Sequence, residues 1–266
     1  MDELFTFQAS GIKVNYSRDA APDPAQFTMH THEWCEFYHI IEGTGNFKIE
    51  GSSYALQTDD VLIMRPAEAH YIDIDPFRPY TRLAVHFDPA LLQQIDPNGI
   101  LLRPFFDRPA GKRNLYRALP PPFNTLLQCL TAPGADRRVQ ILTHLLPLLC
   151  EIAQSHGADD GEYERETVDY KIIRYINEHL FDPLCPDDIC RRFFISKAQL
   201  YRLFKNAVGT TVWDYITVKR LVAARRLIRA GSTAAEAAAR CGFNDYSAFY
   251  RAYKKKYAHA PSLREK

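Results

Sequence analysis

The sequence predicts an α+β protein of two domains. The first is an N-terminal β-barrel or sandwich with trailing helices. The second is an all-α C-terminal domain built on two helix-turn-helix units. Three observations predict this. The first hundred residues hold short β-branched and aromatic runs separated by turn signals, such as FKIE at 47–50, VLIM at 61–64 and TRLAVHF at 81–87. From Pro120 onward the apolar spacing becomes helical. The charge also divides: residues 165–266 carry 20 Lys+Arg against 10 Asp+Glu, a net +10 in a chain of net +1, leaving −9 on residues 1–164. A basic half joined to an acidic half points to two tasks, with nucleic acid as the partner of the basic one.

Composition narrows the class. Hydrophobic residues make up 46% and charged residues 24%, as in an ordinary globular protein with a real core. The longest apolar stretch, 141–149, is broken by Thr143, His144 and Pro147, far short of the roughly 20 residues that span a bilayer. The opening MDELFTFQ has neither a basic nor an apolar targeting region, so a cytoplasmic protein without membrane association is expected. No two of the six cysteines have CxxC spacing, which argues for reduced, core-filling thiols and against a zinc ribbon.

In order along the chain, the β-rich segment is punctuated by EGTG (42–45), EGSS (50–53), TDD (58–60) and DPFRP (75–79). Phe123, Leu126, Leu127 and Leu130 then recur at helical spacing. So do Val139, Leu142, Leu145, Leu146, Leu149 and Ile152, with an interruption expected at Pro147. These helices are expected to pack on the β-domain or on a second copy of it. The boundaries are a first domain at 1–155, a polar linker at 156–166 beginning HGADDGE, and a second domain at 167–266. In the second domain the spacing predicts helices at 168–180 and 187–193. A third starts at the S-x-x-Q capping box of Ser196 and Gln199 and stops at Gly209. A long helix at 211–230 follows, then one opened by the capping box Thr233–Glu236, and a last one at 245–257.

The same unit thus occurs twice: DDICRRFFISKAQLYRLFK and TAAEAAARCGFNDYSAFYRAYK, each a short helix, a tight turn and a second helix suited to the major groove. The connecting helix of about 20 residues spans roughly 30 Å, near the ~34 Å that separates successive major grooves on one side of DNA. The segments VGTTVWDYITVKRLVAARRLI and AARCGFNDYSAFYRAYKKKYAHAP resemble the DNA-binding domain of AraC/XylS-type transcription regulators over about 168–263. Ala258 or Ala260 replaces the glycine usual before the final proline, and Leu263 the usual tyrosine, so an altered C-terminal turn is expected. The resemblance implies base readers early on each recognition helix: Ala198, Tyr201 and Arg202 after the Ser196 cap, and Tyr246, Ser247, Tyr250 and Arg251. Arg202 and Arg251 suit guanine and Ala198 a thymine methyl. Lys197, Lys205, Lys254 and Lys255 suit phosphates. Either arginine packing across its own motif through its aliphatic stem is the alternative.

HTHEWCE at 30–36 raises a separate question. In an unbroken strand His30, His32, Glu36 and Tyr38 share a face. With Gly43 and the later RPAEAH ending at His70, the pattern resembles the two metal-binding motifs of the cupin barrel and the sensor half fused to AraC-type DNA-binding domains. Its second motif is imperfect at Asp60 and Glu68. Three histidines and a glutamate (His30, His32, His70 and Glu36) suit a divalent transition metal. The same groups without metal, lined by Tyr38, Arg65 and Trp34, suit a small-molecule effector such as a sugar, and a structural polar cluster is the third option. The expectation is a homodimeric, effector-controlled regulator, not an enzyme, that binds double-stranded DNA and works with RNA polymerase. The alternatives are a metal-dependent sensor or enzyme in the barrel, and a constitutive DNA binder whose barrel is a scaffold.

Overall fold

The computed structural model of the chain describes residues 2–9, 11–117, 122–131, 136–155 and 167–261. The linker expected at 156–166, and Leu263, lie outside the described residues.

The N-terminal half is two antiparallel sheets face to face. Six strands form the larger: β1 (Asp2–Ala9), β2 (Ile12–Asp19), β3 (Cys35–Glu42), β6 (Val61–Met64), β8 (Tyr80–Phe87) and β9 (Leu115–Tyr116), in the order β1-β2-β8-β3-β6-β9. The smaller has β4 (Gly45–Ile49), β5 (Ser52–Ala55) and β7 (His70–Ile74), in the order β5-β4-β7. Every residue of VLIM and the first six of CEFYHIIE are buried, with no polar–apolar alternation. The reason is cover on both faces. Alternate side chains point opposite ways. Tyr38, Ile40, Leu62, Met64 and Ala84 meet Phe47, Ile49, Ile72 and Ile74 of the smaller sheet. Phe37, Val61, Ile63, Leu83, Val85 and Phe87 meet the trailing helices α2 (Pro122–Thr131) and α3 (Arg137–Ser155) through Leu126, Leu130, Ile141, Leu145, Leu149 and Ile152. The expected break at Pro147 is corrected: α3 runs through it. Pro147 and Thr143, whose carbonyl loses its helical partner, are both exposed, so the missing bond falls on the solvent side.

One polar network ties the loop after the short helix α1 (Arg103–Phe106) to the turn between β6 and β7. The Glu68 carboxylate accepts from both terminal nitrogens of Arg108 at 2.8 and 2.7 Å, from Gly111 N at 2.9 Å and from Asn114 Nδ2 at 3.1 Å. Both charged residues are buried.

The C-terminal half has six helices among the described residues: α4 (Val168–Glu178), α5 (Pro186–Phe193), α6 (Lys197–Val208), α7 (Val212–Arg229), α8 (Ala234–Arg240) and α9 (Tyr246–Tyr257). The Ser196 and Thr233 capping boxes are both formed, and Gly209 ends α6 in the left-handed region. There are two small cores. One joins α4, α5, α6 and the start of α7 through Ile172, Ile176, Ile189, Leu200, Phe204 and Tyr215. The other joins the end of α7 to α8 and α9 through Leu221, Ile228, Ala237, Phe249 and Tyr253. Helix α7 is the shared wall.

The halves meet at the β4–β5 hairpin. Its two-residue turn is Glu50-Gly51, with φ of 48° and 84°, the left-handed pair a type I′ hairpin needs. The turn pushes Gly51 against α4, where an added Cβ would lie 2.4 Å from Ile173 Cδ1. It also buries the Glu50 carboxylate in the second half, where Lys219 Nζ (2.7 Å), Asn177 Nδ2 (2.7 Å) and the Tyr215 hydroxyl donate to it.

The Glu68–Arg108 pair makes an acid-stability prediction. Burial alone would raise the Glu68 pKa, but Arg108 outweighs it and holds the carboxyl at about 2, below the ordinary 4.5. Because the folded value is depressed, this stabilisation is complete above pH 4.5 and is lost as pH falls from there toward 2. Glu68→Ala leaves Arg108 buried without its partner and should cost about 3–5 kcal/mol in urea unfolding at pH 7, with a smaller deficit in the acid limb.

Candidate effector site and nucleic-acid interface

Each recognition helix presents its first turns to solvent. On α6, Ser196 caps and Lys197, Ala198, Tyr201, Arg202 and Lys205 are exposed, while Leu200 and Phe204 face the core. On α9, Asp245 caps by accepting from Ser247 N at 2.8 Å. There Tyr246, Ser247, Tyr250, Arg251, Lys254 and Lys255 are exposed, and Phe249 and Tyr253 are buried. Lys197 is ion-paired with Asp187 of α5 at 2.8 Å. Ala258 closes α9 with φ 64°, the left-handed conformation glycine adopts at lower cost.

In the barrel the strand does not run unbroken from His30 to Tyr38; β3 starts at Cys35. His30 forms an isolated antiparallel bridge with His70, and His32 lies in the loop between. The four site residues still converge. Glu36, 2% exposed, stands directly across from Met64 in β6 and His86 in β8. Its Oε2 lies 2.8 Å from His32 Nε2 and 3.2 Å from His70 Nε2, and its Oε1 lies 3.3 Å from His86 Nε2. The His30 ring centroid is 4.3 Å from that of His70. Ligand atoms of His32, Glu36 and His86 all lie within 4.8 Å of one another.

Backbone carbonyls orient three of the imidazoles. His30 Nδ1 pairs with Thr28 O at 3.0 Å, His32 Nδ1 with Trp34 O at 2.8 Å and His70 Nδ1 with Glu68 O at 2.8 Å. A carbonyl only accepts, so each Nδ1 carries the proton. In a neutral ring Nε2 is then an acceptor. On His32 and His70 that atom faces a carboxylate oxygen, an arrangement that needs a proton or a cation between. Burial of the Glu36 carboxylate, which opposes its charge, is outweighed by His86, His32 and His70, so its pKa is far below the usual range. His70 is pulled upward by Glu36 against its own burial. His86 is held down to about 4 by burial, which Glu36 only partly offsets. At neutral pH the cluster is a carboxylate among imidazoles, with His86 neutral.

Of the other residues predicted for this site, Tyr38 lies one step deeper, its hydroxyl bonded to that of Tyr80 and its ring 4.9 Å from Phe47. Arg65 stands with the Glu68 network, donating from Nη1 to Arg108 O at 3.0 Å. Trp34 gives the site its backbone carbonyl. His86 escaped the sequence reading. Its strand was legible, but only the β3–β8 register puts it opposite Glu36. Glu33, unremarked inside HTHEWCE, faces the other way. Its two carboxylate oxygens accept from Arg225 Nη1 and Arg229 Nη1 of α7, both at 3.0 Å.

Two capped helix-turn-helix units behind a sheet-rich domain with a buried polar cluster define a one-chain transcription regulator with its own ligand-binding domain. Residues 18–149 match the AraC-like ligand binding domain, and residues 189–263 match a helix-turn-helix domain. The chain belongs to the AraC/XylS family of transcription regulators. It is 22% identical over 257 residues to the HTH-type transcriptional activator RhaS of Salmonella schwarzengrund, covering 89% of this chain and 87% of that one. It is 23% identical over 244 residues to RhaS of Citrobacter koseri, covering 88% and 86%. ToxT from Vibrio cholerae aligns at 12% identity and a TM-score of 0.40 over 95% of this chain and 97% of that one.

The exposed side chains separate into two kinds by experiment. Arg202→Ala should cost about 1–3 kcal/mol on the preferred duplex and relax its sequence preference. Lys254→Ala should weaken all duplexes alike and lower the salt slope by about one. Binding titrations on selected and random DNA across a salt series distinguish them. Equal losses on both duplexes for Arg202→Ala remove it from the base readers.

Proposed function

We propose that this regulator reads DNA with the residues named on α6 and α9, and that occupancy of the Glu36–histidine cluster by a divalent transition metal sets its output. One observation carries the reading. Adjacent residues of one loop face the two halves: His32 points to Glu36, and Glu33 grips two arginines of α7. Moving His32 to ligate an ion moves the backbone that holds Glu33. The ligands are His32, Glu36 and His86, with His70 beside them. They are the imidazole and carboxylate set that suits zinc, nickel, manganese or iron. The carbonyl partners of His32 and His70 are the outer hydrogen bonds that fix a ligating tautomer. His86, neutral above about pH 4, binds without first losing a proton.

A second reading keeps the site and changes the ligand. His30 is exposed at the rim beside the buried His70, a polar pair open to the hydroxyls of a sugar or similar small molecule. In both readings the protein is an effector-controlled regulator of transcription, working in the cytoplasm beside RNA polymerase, and no catalytic step is assigned to it. The exposed Val139 and half-buried Leu142 and Leu146 lie along one side of α3 and supply the face for a second copy.

The test uses the full chain. Titration with zinc, nickel and manganese should load one ion per chain and raise the unfolding free energy, by about 2.7 kcal/mol at a hundredfold excess over Kd. Glu36→Gln and His86→Ala should abolish this. Glu33→Gln should still bind the ion but lose its effect on DNA affinity. A sugar that stabilises the chain where no metal does selects the second reading. Metal-dependent turnover of a substrate would make the barrel an enzyme. Equal DNA affinity with and without every ligand would make it a scaffold.

A further inference from the structure

Arg220 lies in the middle of α7 and spends its guanidinium on three backbone carbonyls. Nε donates to Leu180 O at 2.7 Å and Nη2 to Asp182 O at 2.8 Å, both in the loop that leads from α4 into the first helix-turn-helix unit. Nη1 donates to Gly242 O at 2.7 Å, in the turn between α8 and α9 of the second unit. The same turn touches the first unit directly. Gly242 has φ of 78°, and an added Cβ would lie 2.7 Å from Phe181 O and 2.9 Å from Arg220 Cζ. One planar fork and one side-chain-free residue therefore join two units whose apolar cores are otherwise separate.

We propose that Arg220 is a positioning residue for DNA recognition: it fixes the rotation and spacing of α9 relative to α6, and so the number of base pairs between the two elements the chain reads. Helix α7 alone does not set this. It has 18 residues, about 27 Å at 1.5 Å per residue, and each unit packs on a different stretch of it. The Arg220 cross-tie joins the two units directly, beside that shared wall. Arginine suits the role because its donors are rigidly disposed in a plane and stay charged, whereas lysine offers one flexible ammonium. The neighbouring Lys219 points elsewhere, to Glu50 of the barrel, so the cross-tie is distinct from the contact between the two halves.

The inference rests on both recognition helices entering DNA, and one experiment separates the two claims. The full-length wild type, Arg220→Lys and Arg220→Ala are each used to select binders from a randomised duplex library. The wild type should enrich two short elements at a single spacing. The variants should enrich the same two elements over spacings one or two base pairs shorter and longer. Their affinity for the wild-type operator should fall about tenfold, as expected when only about one molecule in ten holds the competent arrangement, with affinity for a single element unchanged. Circular dichroism confirms folding, and Arg220→Lys supplies the readout if Arg220→Ala does not fold. Folded variants that keep the single wild-type spacing overturn the role of Arg220. A wild type that enriches only one element overturns two-helix reading, and this inference with it.

Discussion

The arrangement of the molecule depends on one buried carboxylate. Glu50 is 1% exposed at the tip of a barrel hairpin. Its own domain gives it a backbone donor, Ala69 N at 2.6 Å; Lys219, Tyr215 and Asn177 come from the DNA-binding half. An ionised carboxylate stripped of such partners in a water-poor site costs several kcal/mol. Pulling the domains apart must therefore rehydrate Glu50 and Lys219 together, and a partial shift that breaks one contact while excluding water is the least favourable path. The type I′ turn makes the contact possible, because it lets the hairpin end on Glu50 without a longer loop.

Glu33 makes a different kind of contact. Its arginine partners keep 21% and 34% of their side-chain surface exposed against 9% for Glu33, so these pairs are more open to water and salt than Glu50–Lys219, whose side chains keep 0% and 9%. The more deeply buried contact is made by Glu50, and the more open one by the neighbour of His32. That division suits a sensor. Glu50 joins the domains through buried groups, while the Glu33 pairs are open to water on the arginine side. Both contacts fall on α7, the helix that walls both DNA-binding units.

What the sequence disclosed follows the range of the interactions involved. The helices of the DNA-binding half were legible nearly to the residue, because Ser196–Gln199, Thr233–Glu236 and Gly209 act within one turn of chain. The strands around VLIM and TRLAVHF were legible from their residue types. The face each presents was not, since burial on both sides erases alternation. His86 is the clearest case. It sits inside a strand read correctly, yet its role depends on pairing with β3, fifty residues back. Arg65 is the converse. It is adjacent in sequence to Met64, which packs in the barrel interior, but β6 ends there, and its side chain turns to Arg108 and Glu68. Glu33, Glu50 and Arg220 are ordinary surface charges by composition. Each acquires its meaning from a partner more than twenty residues away.

The packing of the barrel also constrains how a signal can arise. Tyr38, Phe47, Leu62, Met64 and Tyr80 fill the space between the sheets, and a close-packed interior gives little without a large energetic cost. The Glu36–histidine cluster lies at one end, where β3 begins and the His30–His70 bridge closes the sheets. A ligand arriving there need not open the core. It has only to exchange the proton-mediated contacts of Glu36 for its own, and the segment free to follow is the short irregular one carrying His32 and Glu33. Under the proposed function the lever from site to DNA-binding half is a single peptide unit long, since His32 faces Glu36 and the next residue, Glu33, faces Arg225 and Arg229 of α7.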